Sequence, residues 1–125
     1  MNDRLTDSTG APVEVHLDED SASYVITVGS GAVAGHAYFL PGLDAGTERI
    51  FHHTVVDKEF SGRGLSKVLV AEALADSRSR DLTVVPVCPL FVKKLQSDGD
   101  DYVASGGRFR KATPADLELV RRTAE

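Results

Sequence analysis

HTVVDKEFSGRGLSKVLVAEAL, residues 53–74, passes through three kinds of structure. HTVV extends RIFH, and together they read as a β-branched, partly apolar strand over 49–56. LSKVLVAEALADSR, 65–78, is dense in Leu, Ala, Glu and Lys and reads as a helix. Between them Gly62 and Gly64 stand one residue apart. Glycine admits backbone angles closed to other residues and lets a ligand approach the chain. The first amides of a helix have no intrahelical partner, and the helix dipole makes that end positive. A strand, a glycine turn and a helix therefore make an anion site suited to phosphate. Arg63 adds a cation beside it. A tight turn with no ligand has the same spacing, so the glycines alone leave both readings open.

Working outward, residues 1–12 are polar and rich in turn formers, which predicts a flexible N-terminus. VEVHL (13–17) alternates with period two, YVITV (24–28) is β-branched, and AVAGHAYFL (32–40) follows the turn Gly29-Ser30-Gly31. Short connections make these three an antiparallel meander. A loop is expected at Pro41-Gly42 and over 44–46. In the helix, Leu65, Val68, Leu69, Val70, Ala71 and Leu74 spread apolar surface widely, as in a buried helix. LTVVPV (82–87) is continuously apolar, like a central strand. A short helix is predicted over 90–96, a polar loop over SDGDD (97–101), and a last helix to 124. That helix starts at Thr113-Pro114-Ala115-Asp116, with Thr as cap and Pro at the first position. Lys93 and Lys94, and the cluster Arg108, Arg110 and Lys111, read as surface charge. The expected fold is α+β, a single domain over 13–125. Its sheet is mostly antiparallel, with a parallel pair and flanking helices.

The chain has 125 residues, 42% apolar and 26% charged, which is ordinary for one globular domain. No apolar run approaches a membrane span, and no apolar stretch follows the charges of MNDRLTDSTG. A cytoplasmic protein is expected, a monomer or weak homodimer. One cysteine, Cys88, excludes an internal disulfide. His16 and His36 fall on separate strands, so no metal site is expected. A net charge of −5 disfavours nucleic-acid binding and suits a cationic partner such as an amine.

The triphosphate loop G-x-x-x-x-G-K-[ST] is absent, and the dinucleotide fingerprint fails because Lys67 stands where its third glycine belongs. Instead, residues 53–74 resemble the acetyl-CoA motif of GCN5-related N-acetyltransferases. The resemblance runs from about Ala34 to Gln96. More specifically it resembles a small branch with an HTxV strand, a GRGL turn and a Cys-Pro after the next strand. The family pattern opens with Gln or Arg; here Glu59 holds that place, which leaves phosphate binding to the main chain.

This resemblance implies acetyl-CoA as cofactor and an amine, small-molecule or peptide, as acetyl acceptor. It implies that the main chain of Thr54, Val55 and Val56 pairs with the pantetheine arm. The diphosphate would sit over Ser61, Gly62, Arg63, Gly64, Leu65 and Ser66. The Val56 amide would polarise the thioester carbonyl. The thioester would lie near His53 and Cys88, the candidate base and candidate acetyl-accepting thiol. His52 and His53 are neighbours on a strand and face opposite ways, so one at most faces the cofactor. The family's acid is often a tyrosine on the helix after the fifth strand, but LFVKKLQ has none and Tyr102 is expected beyond a loop. Residues 18–23 leave room only for a turn where the family has helices walling the acceptor site. A CoA-binding module with little turnover is the alternative, and a cysteine hydrolase using Cys88 and His53 a third reading.

Overall fold

Alternation in the N-terminal half becomes a meander in the computed structural model, which describes residues 5–29, 31–41 and 46–124. Ser30 of the expected turn, most of the expected loop at 41–46, and residues 1–4 lie outside the described residues. Strands β1 (Val13–Asp18), β2 (Ser23–Val28), β3 (Ala32–Pro41) and β4 (Glu48–Val56) pair in order, each antiparallel to the next. Helix α1 (Leu65–Ser79) then crosses to β5 (Thr83–Pro86), which runs parallel to β4. Helix α2 (Pro89–Ala104) crosses to a two-residue strand, β6 (Arg108–Phe109), parallel to β5. Helix α3 (Pro114–Ala124) closes the chain. The result is one mixed six-stranded sheet in chain order with three helices, an α+β fold.

Neighbouring β5 residues divide the core. Val84 joins Tyr24, Ile26, Phe39 and Phe51 under Leu69, Ala73 and Leu74 of α1 and Phe91 and Leu95 of α2. Val85 joins Leu40 and Ile50 on the other face, where Leu119 and Val120 of α3 pack. Phe51 stacks on Phe91 with centroids 4.4 Å apart, which fixes α2 over the centre of the sheet. No described helix is long and apolar enough to cross a membrane.

Helix α2 corrects the sequence reading in length. SDGDD is helical because packing overrides its loop-like composition. A Cβ on Gly99 would stand 2.8 Å from Phe109 Cζ, so only glycine lets β6 lie against the helix here. One turn on, the Tyr102 hydroxyl donates to the Leu74 carbonyl at 2.8 Å. Lys94 and Asp98 pair across one turn. The two-residue β6 has no periodicity to read.

Arg110 is likewise no surface charge. Its guanidinium donates to both Glu48 oxygens, at 2.8 and 2.9 Å, and to both Asp116 oxygens, at 2.7 and 2.9 Å. Asp116 also accepts from the Thr113 amide at 2.7 Å, closing the cap of α3. One cation thus ties β4, the segment after β6 and the start of α3 together. Arg110 holds the Asp116 carboxyl well below the usual carboxylate range, at about 2. A carboxylate with a depressed folded pKa stabilises above its unfolded value, and that stability is lost as pH falls through the folded value. Asp116→Asn should cost about 2 kcal/mol at neutral pH. In urea titrations its gap from the parent chain should close between about pH 4 and pH 2.

Candidate functional site

The site begins where two strands part. β4 and β5 pair from Glu48↔Thr83 to Phe51↔Pro86. At that point the amides of Val87 and Cys88 both donate to the Phe51 carbonyl, each at 2.9 Å. Two donors on one acceptor use up the β4 carbonyl and turn the following chain away. Pro89, at the first helical position, then starts α2 with Cys88 as its cap. β4 instead runs on to Val56 without β5 beside it.

A bulge sets what β4 offers to that opening. Tyr38 pairs with His53 and Phe39 with Phe51, so His52 is an extra residue on β4. Without it, alternation would put His53 and Val55 on the same face as Phe51. With it, Thr54 and Val56 take that face, and His53 and Val55 turn to the other. Main-chain direction follows the same count. The Asp57 amide donates to the Ala34 carbonyl at 2.8 Å, so Val55 and His53 point their main chain at β3. Thr54 and Val56 point theirs into the opening, where among the described residues no strand pairs with them.

The opening widens into a cleft of about 240 Å³ lined by Thr54, Val56, Phe60, Ser61, Gly62, Gly64, Leu65, Ser66 and Leu90. Its far end is the glycine turn. Gly62 (φ +81°) and Gly64 (φ +73°) both adopt the left-handed region, and Gly64 caps α1. Gly64 brings no capping side chain, so the first amides of α1 stay available at the cleft. The cleft thus has a β edge at one end and a positive helix end at the other. Thr54, Val56, Ser61, Gly62, Gly64, Leu65 and Ser66, all expected from the sequence, meet there. Phe60 and Leu90 were missed; each is an apolar residue next to a turn signal, which sequence alone does not aim at a ligand.

Three expected residues are placed elsewhere. The Val55 side chain is 37% exposed on the opposite face. The Arg63 guanidinium turns away to Asp7, its Nε and Nη2 lying 2.7 and 2.6 Å from Oδ2, and does not line the cleft. The His53 ring stacks on Tyr38 at 6.2 Å, and Tyr38 on His36 at 5.2 Å, forming an aromatic row on the opposite face. Cys88 therefore has Thr54, not His53, as its partner: Sγ lies 3.3 Å from Thr54 Oγ1. The thiol is 4% exposed and sits at the positive end of α2. Burial, and then the neighbouring His53, hold the His52 pKa below its ordinary value, which favours a neutral ring. Tyr102, though on the helix after β5, is buried against the core and its hydroxyl donates to the Leu74 carbonyl. Among the described residues no group of three His, Cys, Asp or Glu is placed to hold a metal.

A strand edge bared where two parallel strands part, facing a glycine turn, is the architecture of an acetyltransferase fold. The family model described as GCN5-related N-acetyl-transferase matches residues 23–104, more than half of the chain. The protein belongs to this family. No curated protein matches the chain.

Two outcomes follow. Gly64→Ala forces a side chain into the left-handed region and should cost about 1 kcal/mol in a denaturant titration. Cys88 should react slowly with iodoacetamide in the native protein and at the rate of a free thiol in urea, as mass spectrometry would record.

Proposed function

We propose that the protein transfers an acetyl group from acetyl-CoA to a primary amine of a small molecule or peptide. The observation that carries this is the free main-chain edge of Thr54 and Val56, continuous with the amides of the glycine turn. An extended pantetheine arm can pair with that edge as an added strand. Its diphosphate then lies over Ser61–Ser66, neutralised by amides and the α1 dipole.

The amine enters from the opposite face of the sheet. β1 and β2 are joined by a turn over residues 19–22, so no helix between them walls that face. His53 stands there, exposed beside Tyr38, and takes the proton from the attacking amine. Attack forms the new C–N bond, with the developing oxyanion held by the amide of Val56. Breaking the C–S bond leaves a thiolate. The Thr54 hydroxyl, which lines the cleft, passes it a proton and takes one from the buried Cys88 thiol behind it, which solvent reprotonates after CoA leaves.

A second reading, a CoA-binding module with little turnover, is favoured by one observation. The single tyrosine of α2 is locked to Leu74, so the family's frequent acid is not at the cleft. A thermal-shift titration with acetyl-CoA, then an amine panel with thiol detection, separates the two. We expect stabilisation by acetyl-CoA and thiol release with some amines. Stabilisation without release supports the binding module, and no stabilisation sinks both. Cys88→Ala should slow turnover about 100-fold with CoA affinity nearly unchanged. An acetylated Cys88 found by mass spectrometry without amine would replace proton transfer by a covalent route.

A further inference from the structure

Residues 5–12, expected as a flexible lead, fold into a hook over the glycine turn. Thr6 bridges to Pro12, the Asp7 amide donates to the Ala11 carbonyl at 2.8 Å, and the Val13 amide to the Leu5 carbonyl at 3.0 Å. Leu5 packs on the main core and anchors the hook. At its tip the Asp7 side chain is wholly buried. Its Oδ1 accepts from the Thr9 amide at 2.8 Å, the Thr9 hydroxyl at 2.6 Å and the Ala11 amide at 3.0 Å. Its Oδ2 takes the Arg63 guanidinium. The next residue completes the grip, for the Ser8 amide donates to the Arg63 carbonyl at 2.8 Å.

This last bond has a consequence for the cleft. In a planar trans peptide the C=O and the following N–H point in opposite directions. The Arg63 carbonyl is drawn to the hook, so the Gly64 N–H of the same peptide is driven the other way. Gly64 has the hook on one side, with Ser8 Cβ 3.5 Å from where its own Cβ would be, and the cleft on the other. The hook therefore aims an amide of the turn. It also neutralises the one cation that sequence reading assigned to phosphate, leaving that role to the main chain.

We propose that Asp7 is a positioning residue for cofactor binding: acting through Arg63, it sets the peptide plane that presents the Gly64 amide to the diphosphate. This rests on the acetyl-CoA reading above. A rival arrangement predicts the reverse. If Arg63 were a phosphate ligand in waiting, Asp7 would compete with the cofactor, and removing its charge would tighten binding.

The test is calorimetric binding of CoA and of pantetheine, which lacks the diphosphate, to the full chain. Asp7→Asn, Arg63→Gln and their double variant are compared with the parent. We expect CoA about tenfold weaker in each single variant, no further loss in the double, and pantetheine unchanged. In the ligand-free protein, the Gly64 amide resonance should move in Asp7→Asn. Tighter or unchanged CoA binding in Asp7→Asn overturns the proposal, as does equal weakening of CoA and pantetheine, which marks general loosening. Failure of the parent chain to bind CoA overturns the cofactor reading. The Gly64 resonance then still decides whether Asp7 sets the turn, and an unmoved resonance refutes it. Arg63→Gln reads the same coupling if Asp7→Asn folds poorly.

Discussion

The site depends on one over-committed acceptor. The Phe51 carbonyl receives the amides of both Val87 and Cys88, and from that point β4 and β5 cannot continue side by side. In an unbroken parallel pair each carbonyl serves one donor and the ladder repeats. Here the ladder ends, β5 turns into α2, and β4 is left with a bare edge. Unpaired main chain at a sheet edge is ordinarily a hazard. In this protein a bulge at His52 bends the edge and selects which residues carry it, and the glycine turn receives what pairs with it.

The ends of the chain hold this open arrangement in place. The N-terminal hook grips the turn through Asp7 and Arg63. The Arg110 cluster ties the segment after β6 and the start of α3 back to Glu48 at the beginning of β4. A third tie runs across the sheet: the Tyr24 hydroxyl donates to Asp76 on α1 and accepts from Arg49 at 2.6 Å. Burial, and then Asp76, push the Tyr24 pKa up, so its proton stays in that bond at all ordinary pH. Charges that would otherwise repel or stay solvated are arranged as brackets around a cleft lined mostly by main chain and apolar side chains.

Much of this was legible in the residues. Period two gave β1, β-branched density gave β2 and β4, the turn at 29–31 marked the start of β3, and the Gly62–Gly64 spacing located the turn before α1. What stayed hidden has definite physical causes. The bulge at His52 adds one residue and reverses the faces of everything after it, so His53 and Val55 lie opposite to the expected side. No local signal distinguishes a strand with that extra residue from one without it. Arg63 looked like a free cation because its carboxylate lies 56 positions away in sequence, and Arg110 because Glu48, one of its two carboxylates, lies 62 positions away. Helix α2 outran its composition because Gly99 and Tyr102 are read by Phe109 and Leu74, not by their neighbours in the chain.

The order of elements along the chain also fixes an order of assembly. β1 to β4 pair with neighbours in sequence and are joined by connections short in sequence, so they can form while the rest of the chain is still being made. The parting of β4 from β5 needs residue 51 together with residues 87 and 88, and the Glu48 bracket needs residue 110. During synthesis the nascent protein therefore holds four strands of a six-stranded sheet, with β4 as an unguarded edge, until β5 has emerged. The binding cleft cannot exist before residues 87–90 follow the sheet, and for that interval the surface meant for a cofactor is the one most open to a wrong partner.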